Sequence, residues 1–281
     1  MKLISFAADT EPSFGFLTEG GVVDLGRRTQ LPSLRAFLAA GGIATLDAAS
    51  RAAPADYALD AVRLLPVIPD PDKIICVGLN YHDHVKETGR TVTEKPMLFS
   101  RFPGSQAAHG DKLIRPKISH DFDYEGELAV IIGSAGRHIS EADALSHIAG
   151  YACYNDGSVR DWQRHTSQFL PGKNFASTGG FGPWMVTADE IADPAALTLE
   201  TRLNGQVVQH TTTDLMITSI TALIAYCSTM LPLLPGDVLV TGTPGGVGAK
   251  RNPPLWMKPG DIVEVEISGI GCLLNSIADE D

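Results

Sequence analysis

The chain has 281 residues and a formal net charge of −11 at pH 7, from 33 acidic and 22 basic residues. That balance excludes a nucleic-acid partner, which needs a basic surface, yet it permits a small anionic ligand inside a locally cationic cleft. With 44% hydrophobic and 20% charged residues, the chain is an ordinary folded protein that can bury a sizeable core.

The opening Met1-Lys-Leu-Ile-Ser-Phe6 has neither the apolar run nor the cleavage site of a secretory signal. Cys76, Cys153, Cys227 and Cys272 form no Cys-x-x-Cys pair and sit among apolar residues. Buried, reduced thiols and a cytoplasmic location are therefore expected. Strand-like runs at Lys2–Phe6, Phe14–Leu17 and Gly21–Asp24, a Gly20-Gly21 turn and a helical stretch at Leu34–Ala39 make residues 1–66 a small α+β unit. A Pro-rich connector at 67–72 follows, and a second unit runs from 73 to 281.

In the second unit the expected strands are Ile74–Val77, Met97–Ser100, Gly126–Ile132, Trp184–Thr187, Leu197–Leu203, Val238–Thr241 and Ile262–Ile267. Helices are expected at Tyr81–Thr88, Glu141–Ala144, Ser158–Gln168 and Leu215–Met230. The segment Ile217–Leu234 carries no charge but is rich in Thr and Ser and ends in prolines. It reads as a buried or amphipathic helix capped near Thr213 or Asp214, not as a membrane span. The fold class is strand-dominated α+β with long loops, and the lack of a repeating βαβ pattern argues against a doubly wound sheet.

The acidic run Asp121-Phe-Asp-Tyr-Glu-Gly-Glu127 leads directly into the Gly126–Ile132 strand. Alternation puts Glu125 and Glu127 on one face with Ala129 and Ile131, about 7 Å apart. At an effective dielectric near 20 their repulsion is about 2 kcal/mol, so a positive partner is expected there. Asp156, in Tyr154-Asn-Asp-Gly157, adds a third carboxylate. Three acids without Cys are an oxygen-donor set suited to Mg²⁺ or Mn²⁺.

His84 and Glu87 fall three apart on one helical face, where a carboxylate orients an imidazole as a base for water, or simply forms a surface ion pair. Residues 88–108 read as a mobile cover. Asp156, Arg160 and Gln163 share a helical face, and Arg160 either pairs with Asp156 or grips a substrate carboxylate. Asp161 points elsewhere and is solvent-exposed or structural. Lys173, on a Gly-containing loop, either lies exposed or balances the acids and polarises a reacting oxygen. The turn Thr241–Gly248 is glycine-rich and offers backbone N–H groups to an anion, without the features of a P-loop.

Six motifs in order resemble the fumarylacetoacetate hydrolase family over residues 70–281: Gly-Leu-Asn-Tyr-x-x-His-x-x-Glu (78–87), Tyr-Glu-Gly-Glu-Leu-Ala-Val (124–130), Asn-Asp-x-Ser-x-Arg-Asp-x-Gln (155–163), Pro-Gly-Lys (171–173), Gly-Pro-Trp (182–184) and the 235–248 segment. The resemblance implies a mixed β-roll or β-sandwich, a homodimer, and Mg²⁺ or Mn²⁺ on Glu125, Glu127 and Asp156. It implies a water-activating His84–Glu87 pair on a lid, with Lys173 and Gln163 on the reacting part of the substrate and Thr243 on its carboxylate. Arg101, Arg160 and Gly242 complete the expected substrate-binding set.

Two positions depart from the family pattern. Asn174-Phe-Ala176 stands where Ser-Phe-Asp is common, and Arg101 where Lys is common. The substrate is therefore not carried over. The implied chemistry is hydrolytic cleavage of a 2,4-dioxo acid (an acylpyruvate) to an acid and pyruvate. The alternative is an isomerase, tautomerase or oxaloacetate-type decarboxylase using the same enolate, and a non-catalytic protein with a structural cation is a third reading.

Overall fold

The computed structural model describes all residues from Met1 to Asp281. Its largest sheet has eleven strands. The main path runs Gly21–Asp24, Glu11–Thr18, Lys2–Ala8, Gly179–Thr187, Ile148–Asn155, Gly126–Ile132, Val238–Val240, Ile74–Gly78 and Met97–Arg101. All neighbours on this path are antiparallel except Val238–Val240, which runs parallel to Ile74–Gly78. A second sheet of five strands, in the order Gln206–Thr212, Thr198–Leu203, Ile262–Ile267, Gly271–Asp279 and Lys112–Arg115, packs against it. The architecture is thus the strand-dominated α+β arrangement expected from the sequence.

Gly126–Ile132 lies inside the large sheet and is buried on both faces. Leu128, Val130 and Ile132 point into a core shared with the second sheet and with the helix Ile220–Met230. Ala129 and Ile131 point the other way, into a core that includes Leu3, Phe14, Phe16, Leu25, Leu34 and Phe37. Residues 1–66 therefore cover one face of the sheet and extend it, because Lys2 and Leu3 pair with Val186 and Met185. The unit expected to stand apart is joined to the rest by backbone hydrogen bonds and a common core.

Several elements differ from expectation. The Ser158–Gln168 helix shrinks to Arg160–Gln163, because Ser158 and Val159 pair with Asp123 and Phe122. The expected Glu141–Ala144 helix becomes a 3₁₀ turn at Ala144–His147. The uncharged segment forms a helix over Ile220–Met230 capped by Ser219, whose side chain accepts from the Ala222 N–H. Its start is set by Asn80, which bonds the backbone of Ile217 and Thr218 and holds them extended. No helix is long and apolar enough to cross a membrane. Within the expected cover, Met97–Arg101 is a sheet strand, which leaves residues 89–96 as the loop.

Candidate active site

Glu125, Glu127 and Asp156 converge where the Gly126–Ile132 and Ile148–Asn155 strands begin and end. Gly126 pairs with Asn155, which sets Asp156 beside Glu125, and the Asp156 N–H donates to the Glu125 carbonyl at 2.8 Å. One oxygen from each carboxylate lies within 4.8 Å of the others, and all three residues are buried.

The cations around them are unevenly shared. Lys173 Nζ bridges Glu125 Oε2 at 2.5 Å and Asp156 Oδ2 at 2.6 Å. Arg160 binds Glu125 Oε1 at 2.7 Å and Asp123 Oδ2 at 2.8 Å, so it does not pair with Asp156 as the helical spacing suggested. Arg101 holds Asp156 Oδ1 at 2.7 Å. Glu127 has no cation; the Gly242 N–H donates to its Oε2, and no salt bridge reaches it. Desolvation, with the charges of Asp156 and Glu125, pushes the Glu127 carboxyl well above its usual range. Glu125 is desolvated too, but Arg160 and Lys173 prevail and hold its carboxyl well below the usual range. Burial lowers Lys173, yet the Asp156 and Glu125 carboxylates more than offset this and leave its ammonium strengthened.

These residues fit a divalent cation. The donor set is all oxygen, and the buried Glu127 carboxylate lacks the positive charge that such an ion would bring.

His84 sits on the helix His82–Thr88, 6% exposed, with Nδ1 2.7 Å from Glu87 Oε1. Glu87 Oε2 accepts from the Gly246 N–H at 2.9 Å, so the carboxylate is fixed from both sides. Gly172 allows the Leu170–Lys173 turn to lie against the helix of Gln163, since a Cβ there would meet Gln163 backbone nitrogen at 2.4 Å. That approach directs Lys173 inward. A cavity of about 270 Å³ opens above the acids, lined by His84, Glu125, Glu127, Arg160, Gln163, Lys173 and Thr243, with Phe99 and Phe169 as apolar walls.

Three expected roles need correction. Arg101 does not face the cavity. Its five N–H groups are spent on Asp156 Oδ1, the Gly157 carbonyl, the hydroxyl and carbonyl of Ser105, and Thr178 Oγ1, which leaves none for a substrate. Gly242 serves Glu127, not a ligand. More broadly, the glycine-rich turn captures the protein's own carboxylates: Gly242 takes Glu127, Gly246 takes Glu87, and Gly248 takes Asp123. Thr243 reaches the cavity wall, but its hydroxyl donates to the Gly126 carbonyl at 3.0 Å and accepts from Gln209 Nε2 at 2.8 Å. Gln163 Oε1 accepts from Arg160 Nη1 at 3.0 Å. Asp161 is structural, accepting from the Ser119 hydroxyl at 2.7 Å.

Asp123, not among the expected site residues, accepts from Arg160 Nε and from the Gly248 and Ala249 N–H groups. A signal existed, because Asp123 shares the odd-numbered face of Glu125 and Glu127. Arg90, Arg164 and Lys250 also line the cavity and were missed. They come from separate loops, and no local pattern marks them.

The family model for the fumarylacetoacetate hydrolase C-terminal domain matches residues 73–278. The chain belongs to the fumarylacetoacetate hydrolase family. It is 40% identical over 287 residues to the human mitochondrial protein named oxaloacetate tautomerase FAHD2A, covering 99% of this chain and 91% of that protein. A fumarylacetoacetate hydrolase structure from Exiguobacterium antarcticum superposes with a TM-score of 0.87 at 36% identity, covering all of both chains. The maleylpyruvate hydrolase of Sphingobium sp. SYK-6, solved with manganese and pyruvate, gives a TM-score of 0.83 at 26% identity over all of both chains. Family membership makes the chain an enzyme. The mitochondrial label of the human relative lends no support to the cytoplasmic location expected from the sequence.

Proposed function

We propose that the protein is a divalent-cation-dependent tautomerase that interconverts the keto and enol forms of a dicarboxylic 2-oxo acid of the oxaloacetate type. The observation that carries this choice is the likeness, over 99% of the chain at 40% identity, to a protein named oxaloacetate tautomerase, against 36% for the Exiguobacterium antarcticum fumarylacetoacetate hydrolase and 26% for the hydrolase solved with pyruvate. This reverses the order of the two enzymatic readings drawn from the sequence. Mg²⁺ or Mn²⁺ held by Glu125, Glu127 and Asp156 would supply Lewis-acid polarisation of the 2-oxo group. The manganese and pyruvate in the hydrolase support both the ion class and the ligand head group. A homodimer is retained as the proposed assembly.

The chain's own residues suit the proton traffic. Enolisation removes a proton from C3 and places one on the 2-oxo oxygen; ketonisation reverses both transfers. His84 Nδ1 is held by Glu87, which leaves Nε2 at the cavity wall to take the C3 proton and deliver it to the 2-oxo oxygen, and to carry it back in ketonisation. Lys173 keeps positive charge beside the developing oxyanion. Arg160 Nη2 is buried without a hydrogen-bond partner, the condition of a donor awaiting a carboxylate.

A second reading, hydrolysis of a 2,4-dioxo acid, draws on the same His84–Glu87 contact, whose geometry equally suits activation of water. The test follows enol-oxaloacetate by ultraviolet absorbance in the presence of Mg²⁺ or Mn²⁺, beside pyruvate release from a panel of acylpyruvates. Rapid decay of the enol without cleavage of any acylpyruvate is expected. Faster pyruvate release than enol decay would establish the hydrolase instead.

A further inference from the structure

Beyond the acids, the mouth of the cavity carries a charge pattern that the proton chemistry does not use. Arg90, Arg164 and Lys250 line it, and the only acidic lining residues are Glu125 and Glu127 at its base. All three cations are exposed, and none forms a salt bridge or donates a side-chain hydrogen bond. The chain carries 33 acids and 22 bases, so an all-cationic rim runs against its acidic balance.

The three arrive from different loops. Arg90 follows the left-handed cap Gly89 of the His84 helix, and its guanidinium stacks 5.2 Å over the Phe169 ring, which directs it across the opening. Arg164 caps the Arg160–Gln163 helix. Lys250 ends the 3₁₀ turn at Gly248–Lys250, next to the Asp123 anchor. Three unpaired cations on one rim, without an interleaved acid, repel each other unless an anion lies among them.

We propose that Arg90, Arg164 and Lys250 form the site for the second carboxylate of the substrate and so select dicarboxylic over monocarboxylic 2-oxo acids. The proposal rests on the keto-acid reading of the cavity: Arg160 and the acidic centre take the 2-oxo acid head, and the rim takes the far end. Long, flexible cations suit a variable spacer, so the rim reads charge more strictly than chain length.

The test compares 2-oxoglutarate with 2-oxopentanoate, its near-isostere lacking the far carboxylate, by calorimetric titration in the presence of Mn²⁺. The wild-type protein should prefer the diacid by about tenfold or more, and added salt should erode that preference. In the triple variant R90Q/R164Q/K250Q the preference should fall below about threefold, while 2-oxopentanoate still binds within about threefold of wild type. A triple variant that keeps the preference, or one that loses both ligands equally, overturns the proposal. Wild-type protein that binds both acids equally overturns the rim assignment and leaves the keto-acid reading intact. Wild-type protein that binds neither overturns both.

Discussion

Glu127 occupies the position in the site where burial and like charge outweigh the relief that Lys173 and the Gly242 N–H give. Its carboxyl stands above the ordinary value because of desolvation and the charges of Asp156 and Glu125. A raised carboxyl binds its proton more tightly in the folded state than in the unfolded one. In chelator its contribution to stability is therefore full below the ordinary glutamate range and is lost as pH rises through the raised folded value. Glu125 acts in the opposite sense: held low by Arg160 and Lys173, it stabilises above the ordinary range and loses this only in strong acid. Metal-free protein should thus show a declining Tm from mildly acidic pH upward, and Glu127→Gln should flatten that decline. Adding Mn²⁺ at a hundredfold excess over its Kd should contribute about 2.7 kcal/mol, a rise in Tm of several degrees, and more at higher pH. Differential scanning calorimetry across pH reads both effects. A Tm independent of pH and Mn²⁺ in wild type would remove Glu127 from the ion site.

At the level of elements, the segment from Thr241 to Gly248 ties the His84 helix to the acidic strand. Its N–H groups hold Glu87, Glu127 and Asp123, so one turn fixes the partner of His84, a member of the acidic cluster and the anchor of Arg160. The sequence disclosed an anion-receiving turn; that the anions belong to the chain depends on contacts more than a hundred residues apart, which no local pattern encodes. The alternation of Glu125 to Ile131 was legible because its period is local, and the His84–Glu87 pair because three residues span one helical turn. Of the two roles open to Arg160, pairing with Asp156 fails because the pairing of Ser158 and Val159 with Asp123 and Phe122 shortens the helix and turns the guanidinium to Asp123 and Glu125. Gly246 has φ +103, and a Cβ there would lie 2.3 Å from the Val208 carbonyl oxygen. Gly89 is also left-handed, with φ +68, but nothing lies near its missing Cβ. Gly246→Ala should therefore cost about 2–3 kcal/mol and slow turnover by loosening Glu87, whereas Gly89→Ala should cost about 1 kcal/mol. Urea denaturation with parallel enol-decay assays separates the two; equal losses in stability would contradict the close approach at Gly246.

Across the whole molecule, the strand-dominated class and most sheet strands could be read from apolar alternation, but their order could not. The large sheet starts with the N-terminal hairpins, passes through strands from the middle and late chain, and ends on Ile74–Gly78 and Met97–Arg101, so its assembly depends on long-range pairing. That is why residues 1–66 looked separable: their internal pattern is complete, and nothing local announces the contact with Gly179–Thr187. Leu3, Phe14, Phe16, Val23, Leu25, Leu34, Phe37 and Leu38 lie in one cluster with Ile74, Ala129, Ile131, Tyr154, Phe181 and Val238. At about 1.5–3 kcal/mol for each large apolar side chain buried, the eight N-terminal residues contribute about 12–24 kcal/mol before the cost of ordering them, as large as the roughly 5–15 kcal/mol by which a typical domain is stable. Removing them would also bare the edge of Gly179–Thr187 and the face that carries Glu127. A fragment of residues 73–281 is therefore expected to lack a cooperative thermal transition and to bind no Mn²⁺, although the family model matches only 73–278. Circular dichroism melting of that fragment decides the matter: a sharp transition near the full-length Tm would make the first 66 residues an independent unit after all.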